Sequence, residues 1–414
     1  MISFEPTEDQ ILIRDSVAQF AKSTLAPRVR EVEKLGAVPA DIRKTAHEMG
    51  LGLAGVPESC GGQGLDLVTR VLMEEELGAA DAAAAFGLPG PHGFATALVE
   101  LGSDEQARDA LSPFSEPDAH DRFGAVAWSE AAPNKERAGF STVARRDGDA
   151  WLIRGKKAFV GNAGLAQRFV VFAQVDEAAG WDGIGAFVVT AGAPGLTVGA
   201  RHATLGLDAA SFGELVLDGV RVPEAARLTG GADGFVRATL RYFCKHALVV
   251  AARSVGVARF AFELAREYCD TRVAFGKPIG HFQAVAFTLA DRLMDVDSAR
   301  WLVWRAAHAW DAYASAETRK GKLPERAALH ATAQAVAHAL EACMRCGDDC
   351  VGLHGGSGFI RDVIAEKLMR DAKQLALACP TPEQLDQLAT ALEVGASLDP
   401  AVVLPTCDTQ AIFT

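Results

Sequence analysis

The sequence predicts an α+β multidomain chain: an N-terminal α-helical domain, a middle β-sandwich or barrel domain and a C-terminal four-helix bundle. Three observations predict it. Apolar residues recur at helical spacing from Thr7 to about Leu111, short β-rich runs bounded by turns replace them from about Gly124 to Leu228, and the helical period returns in longer segments after Gly231. The expected domains are 1–122, 123–230 and 231–414.

In the first domain Ile11, Ile13, Val17 and Phe20 lead into Leu25, and Ile42, Ala46, Met49 and Leu51 mark a second helical stretch. The Gly/Pro clusters GVPESCGGQGLD (55–66) and GLPGPHG (87–93) break helices and are expected as loops. The acidic run EEEL (74–77) reads as a solvated helix face. In the middle domain the strands are VARRDGDAWLIRG (143–155), RFVVFAQV (168–175), IGAFVVT (184–190), LTVGA (196–200) and GELVLDGVRVP (213–223). The Asp-Gly pair at 147–148 signals a hairpin. Helices are expected over 232–269, 281–314, 324–350, 361–378 and 382–395, and segments of that length with apolar stripes pack as antiparallel bundles.

Composition narrows the function. The 414 residues carry 41 Lys+Arg against 53 Asp+Glu, a formal charge of −12, with 49% apolar residues. An acidic chain lacks the clustered cations that neutralise a phosphate backbone, so nucleic-acid binding is not expected. The start, MISFEPTEDQ, has neither the basic flank nor the apolar run of a signal peptide, and no apolar stretch is long enough to span a membrane, so a cytoplasmic protein is expected. Eight cysteines are too sparse for a disulfide scaffold and read as thiols. CMRCGDDC (343–350) with His354 offers zinc-ligand types, but along one helix those positions climb about 1.5 Å per residue, too far to surround one ion. No Ser-His-Asp arrangement is visible.

PESCGGQGLD (57–66), TRVAFGKPIGHFQ (271–283), LHGGSGF (353–359) and EKLMRDAK (366–373), in an α, β, α order, resemble the acyl-CoA dehydrogenase superfamily over nearly the whole chain. The resemblance implies an FAD enzyme, commonly a homotetramer, that desaturates an acyl thioester between its α and β carbons. An electron-transferring flavoprotein or oxygen would reoxidise the flavin. It implies cofactor contacts at Arg272, Phe275 and Gln283, reaching FAD across a subunit interface, and at the Gly355–Gly356 turn, with Gly352 where the family has a glutamine. Read alone, Arg272 is a solvated helix end, Phe275 a core aromatic and the glycines helix caps.

The chain departs from the family at three places. AWSEAAPNKER (127–137) stands where the family has a Thr-Glu-Pro-Gly-Ala-Gly-Ser-Asp run; Trp128, Ser129 and Lys135 are the cofactor candidates there, Lys135 being either a phosphate partner or an exposed loop lysine. KAFVGNAG (157–164) replaces a Trp-Ile-Thr-Asn run, leaving Phe159 to cover the flavin and Gly161 without the hydroxyl that would meet it. Neither of the family's two alternative catalytic glutamates is present: their positions hold Cys379, and His246 followed by Ala247. Cys379 and His246 are the candidate bases, against the plainer readings of an inert buried thiol and a packed imidazole. Three functions follow: an acyl-thioester dehydrogenase, on CoA or a carrier protein, with a substituted base; a flavin monooxygenase on the same fold, which needs no α-proton base; and a catalytically silent partner subunit.

Overall fold

Helix starts are written into the chain as side-chain caps. Thr7, Ser103 and Thr381 each close a capping box with a glutamine three residues on, opening α1 (Glu8–Phe20), α6 (Asp104–Leu111) and α11 (Pro382–Glu393). Between the first two lie α2 (Val29–Leu35), α3 (Ala40–Glu48), α4 (Leu67–Gly87) and α5 (His92–Leu101). The computed structural model describes residues 5–131, 139–231, 234–314 and 324–395.

The start of α4 is held from two sides. Asp66 accepts from the Thr69 amide at 2.7 Å, and Asp311, on α8 (Gln283–Ala314), accepts from the Leu67 and Val68 amides at 2.8 and 2.9 Å. Helix α4 is therefore embedded between helices, and this overturns the reading of the acidic run as a solvated face. Glu74 accepts from Arg253 at 2.7 Å, Glu75 is 5% exposed and meets Arg300 at 2.9 Å, and Glu76 pairs with Arg259 at 2.8 Å. Arg253 and Arg259 belong to α7 (Phe235–Thr271) and Arg300 to α8. Two glycines allow the close crossing of α4 and α7: a Cβ on Gly78 would lie 2.3 Å from the Arg253 carbonyl oxygen, and one on Gly256 would lie 2.1 Å from that of Glu75.

The strands of the middle part form one hydrogen-bonded sheet. They are β1 (Phe123–Ala127), β2 (Val143–Asp147), β3 (Ala150–Val160), β4 (Ala166–Gln174), β5 (Ile184–Thr190), β6 (Leu196–Val198), β7 (Gly213–Pro223) and β8 (Arg227–Leu228). The order is β6-β7-β3-β2-β4-β5-β8, with β1 parallel on β4. The β2–β3 hairpin forms where the Asp-Gly signal lies, one residue out of phase: Asp147 pairs with Ala150, so the turn is Gly148–Asp149, with Gly148 at φ 65°. Strand β4 is buried on both faces. Phe169 and Val171 join Ile153, Phe187 and Leu215 in the sheet's own core, while Val170 and Phe172 pack with Phe94 and Leu98 of α5.

Helix α9 (Pro324–His354) packs against α7, α8, α10 (Ala365–Leu375) and α11. Lys367 is buried where α10 meets α4, bonded to Asp81 at 2.8 Å and Asp371 at 2.6 Å. Between α7 and α8 a short hairpin, β9 (Val273–Ala274) and β10 (Lys277–Pro278), turns through Phe275 and Gly276 at φ 51° and 82°. Among the described residues no helix is long and apolar enough to cross a membrane.

Candidate functional site

A cleft of about 280 Å³ opens where the three parts meet. Its walls are the first turn of α5 (His92–Phe94), the end of β1 and the residues after it (Gly124–Ser129), the turn closing β3 (Phe159, Gly161, Asn162), one face of α7 (Tyr242, Phe243, His246) and the segment after α10 (Leu377–Pro380). Of the sequence candidates, Trp128, Ser129, Phe159, Gly161, Cys379 and His246 thus share one cavity. No carboxylate is among its described lining residues.

Local backbone shapes this wall. Phe159 and Asn162 both adopt left-handed φ, 55° and 56°, which folds the end of β3 over and leaves the Phe159 ring 57% exposed, 5.4 Å from the His202 ring. Asn162 donates to the Phe86 carbonyl at 2.9 Å, while its own Oδ1 is buried without a partner. Trp128 is wedged edge-on among Phe140, Phe172 and Phe243, with ring centroids 4.6–4.7 Å apart, so it braces the cleft as well as lining it. Ser129 accepts the Ala158 amide at 2.9 Å through its carbonyl. Glu130 fixes the next residue: it pairs with the buried Lys157 at 3.0 Å and accepts the Ser141 and Thr142 amides at 2.8 and 2.9 Å. Burial raises the Glu130 carboxyl, but Lys157 and those amides outweigh it and hold it low; burial also brings Lys157 down to about 8. Lys135 lies outside the described residues.

The two candidate bases shift in opposite senses. Burial pushes the Cys379 thiol up to about 12, with no cation beside it to pull it back. In that setting the thiol is protonated at neutral pH. His246 stacks on Tyr242 at 5.9 Å, and Gly93 lies against it so closely that a Cβ there would sit 3.2 Å from Nδ1. Burial first, then Arg253, His92 and Arg70, bring it down to about 4 against the opposing pull of Glu74. His246 is therefore a neutral imidazole at physiological pH.

The remaining candidates lie elsewhere. Arg272, Phe275, Gln283, Gly352, Gly355 and Gly356 do not line this cleft. They gather at the far end of the bundle, where Tyr268 near the end of α7 stacks on His354 at the end of α9, 4.4 Å between ring centres. Arg272 and Gln283 are exposed, nothing stands within 4 Å of a Cβ built on Gly352, Gly355 or Gly356, and Phe275 is 96% exposed in its left-handed conformation. From His246 to Arg272 is 26 residues, almost all on one helix, or about 39 Å at 1.5 Å per residue. The sequence reading missed His92, Tyr242 and Asn162 in the cleft. Only Asn162 carried a signal, the Gly-Asn-Ala-Gly turn at 161–164.

Of the groups that a dinucleotide flavin needs around it, the two regions offer different ones. Phe159 offers a ring face and Asn162 an unpaired buried acceptor where the ring system would lie, and Arg272 offers a pyrophosphate partner. A single chain cannot bring them to one molecule across about 39 Å.

Residues 7–116, 125–220 and 232–379 match the acyl-CoA dehydrogenase N-terminal, middle and C-terminal domains. A probable acyl-CoA dehydrogenase of Bacillus subtilis is 31% identical over 389 residues, covering 92% of this chain and 97% of that protein. Butyryl-CoA dehydrogenase from Megasphaera elsdenii superposes with a TM-score of 0.83 at 29% identity, over 95% of this chain and 100% of the other. A glutaryl-CoA dehydrogenase from Mycobacterium smegmatis, solved in complex with FADH2, does so with a TM-score of 0.81 at 25% identity, over 95% and 97%. The chain belongs to the acyl-CoA dehydrogenase family, FAD flavoproteins that act as oxidoreductases on CH–CH bonds.

Proposed function

We propose that the chain is an α,β-dehydrogenase of acyl thioesters, borne on CoA or on a carrier protein, in which the imidazole of His246 removes the α proton. The observation that carries the reading is the pairing in one cleft of a neutral histidine with an exposed aromatic face, with no carboxylate among the described lining residues to compete for the proton. Bound FAD supplies the acceptor for the hydride leaving the β carbon. The chain's own residues do the rest. His246 takes the α proton on an imidazole nitrogen, and a base that is fully unprotonated at neutral pH offsets in availability part of what it lacks in strength. Arg253, His92 and Arg70 disfavour the imidazolium that results. Cys379, protonated, acts as an apolar wall that keeps water from the α carbon.

The separation of the two half-sites supports a shared assembly. The chain forms a homodimer, or a homotetramer built as a dimer of dimers, in which Arg272, Phe275 and Gln283 of one copy meet the FAD lodged in the cleft of another. A left-handed phenylalanine displayed to solvent at a hairpin tip is a costly arrangement in a lone chain and a useful one when a second copy or a shared cofactor covers it. An electron-transferring flavoprotein or oxygen reoxidises the flavin, in the cytoplasm.

The absence of a carboxylate from the described cleft lining also favours a second reading, a flavin monooxygenase. Anaerobic mixing of the flavin-loaded protein with a panel of acyl thioesters separates the two. Bleaching by at least one thioester is expected, and faster bleaching in His246→Glu or Cys379→Glu, which restore a carboxylate to the family's two alternative positions. If neither variant nor the native protein bleaches with any thioester while FAD stays bound, the monooxygenase reading replaces the first. A purified protein that is colourless and does not take up FAD is a silent subunit.

A further inference from the structure

Tyr242 and His246 line the cleft one helical turn apart on α7. Tyr242 is 3% exposed, and its ring lies 14° from parallel to the imidazole. Phe172 and Phe243 hold the ring from other sides, at 6.3 and 5.0 Å between centroids. Its hydroxyl, by contrast, has no hydrogen-bond partner among the described residues. A rigidly held, desolvated phenol without a partner is unfavourable unless a ligand atom meets it. Burial pushes the phenol well above its usual range, so at any working pH it is a proton donor.

The surroundings select the charge of that ligand atom. The first turn of α5 approaches both side chains: a Cβ built on Gly93 would lie 3.5 Å from the Tyr242 hydroxyl and 3.2 Å from His246 Nδ1. No side chain caps this turn, and the His92 and Gly93 amides have no acceptor among the described residues, so the positive end of the helix is left uncompensated where it lines the cleft. Arg253, His92 and Arg70 act on the imidazole in the same sense, and Glu74 opposes them without prevailing. A potential that disfavours an imidazolium favours a negative oxygen in the same place.

We infer that Tyr242 is a catalytic residue whose hydroxyl donates to the thioester carbonyl oxygen as it becomes an enolate oxygen, with the first turn of α5 adding positive charge beside it. The inference rests on the dehydrogenase reading and deepens it, because the action of His246 creates a negative charge that needs a partner. When the imidazole takes the α proton, the C–H pair forms a double bond between the α and carbonyl carbons, and the carbonyl π pair moves onto oxygen. As the hydride leaves the β carbon for FAD, the oxygen pair restores the carbonyl and the double bond shifts to the α and β carbons. Charge on the oxygen is greatest between these events, so a donor placed there favours the transition state over the bound substrate. The α carbon and the oxygen are bonded to one common atom, and with 5.9 Å between the two ring centres a single thioester can meet both side chains.

The test uses the FAD-loaded protein and acetoacetyl-CoA, whose α proton titrates in water and whose β carbon carries no hydride, so enolate binding is read without turnover. Absorbance of the bound enolate against pH should show its ionisation displaced to lower pH than in solution. Tyr242→Phe keeps the ring and its stacking, and should lower the bound ionisation constant by roughly ten- to a hundredfold. Gly93→Ala, which brings a methyl group against both the hydroxyl and the imidazole, should lower it as well, and serves if Tyr242→Phe loses its flavin. An ionisation constant undisplaced in the native protein, or unchanged in both variants, overturns the proposal. A displacement lost in His246→Gln but kept in Tyr242→Phe also overturns it, since the imidazole would then hold the oxygen. Bleaching by acyl thioesters keeps the two readings apart: Tyr242-dependent ionisation without bleaching by any thioester sinks the dehydrogenase and keeps the enolate site, and bleaching with ionisation indifferent to Tyr242 does the reverse.

Discussion

At one end of α7 the functional groups are finished within the chain; at the other they are left open. Around His246 the walls are packed, the imidazole is stacked and the thiol of Cys379 is neutral, so burial has set the protonation states before any ligand arrives. Around Arg272 the hairpin side chains stand in solvent and the Gly355 turn faces open space. The first region is tuned by desolvation and the second is shaped for contact. Their chemistry therefore responds to different perturbations: the cleft to changes of charge and pKa, the hairpin to dilution and to loss of surface.

The largest expected effect is in the cleft. His246→Gln keeps the volume and removes the base, and should slow anaerobic flavin bleaching by about 10²- to 10⁴-fold, the usual span for a general base. Cys379→Ala should change it by no more than a few-fold. The pH profile gives an independent reading. With His246 as base the rate should climb through an acid limb near 4 and stay level across neutrality; with a thiol at about 12 it would rise about tenfold per pH unit instead. A large loss in Cys379→Ala together with that continuous rise would transfer the role to the thiol.

At the hairpin the effects are smaller and fall on affinity. Arg272→Ala should leave the fold and the rate per bound flavin intact while weakening FAD by about ten- to a hundredfold, since a charge-assisted pair contributes about 1.5–3 kcal/mol. Phe275→Ser should lower flavin occupancy most at low protein concentration, where light scattering should find smaller assemblies. A protein that is monomeric at micromolar concentration and retains FAD would refute the shared site, and with it the contrast between the two ends.

What the sequence disclosed follows the same division. The long helices and the β2–β3 hairpin were legible because period and turn chemistry are local signals, and the missing glutamates were legible because a resemblance fixes register. The acidic run at 74–76 misled because a polar helix face is taken to meet water, whereas α4 is enclosed by α7 and α8, whose arginines meet all three carboxylates. No local pattern reports such enclosure. Likewise the direction in which the Cys379 thiol moves depends on a burial that only folding supplies. The hairpin residues carried a signal only through the family pattern, since a single chain gives them almost nothing to touch.

The smallest expected effect concerns stability and tests whether the cleft is as dry as its packing implies. The ordinary histidine value of 6.5 falls to about 4 for His246 in the folded state, and burial also lowers His92. The folded pKa lies below the unfolded one, so the unfolded chain binds the proton first as pH drops. The contribution to stability is complete above about 6.5 and is lost as pH falls from there toward 4. Between pH 7 and pH 5 the loss from His246 should be about 1–2 kcal/mol, since each pH unit crossed between the two values removes about 1.4 kcal/mol and residual solvent relieves part of it. Urea midpoints at the two pH values should show that loss in the native protein and a loss smaller by about that amount in His246→Gln, with the slope of unfolding unchanged. Equal acid sensitivity in the two proteins would mean that water reaches the imidazole and raises it toward its ordinary value, and the acid limb of the bleaching profile would then move up with it.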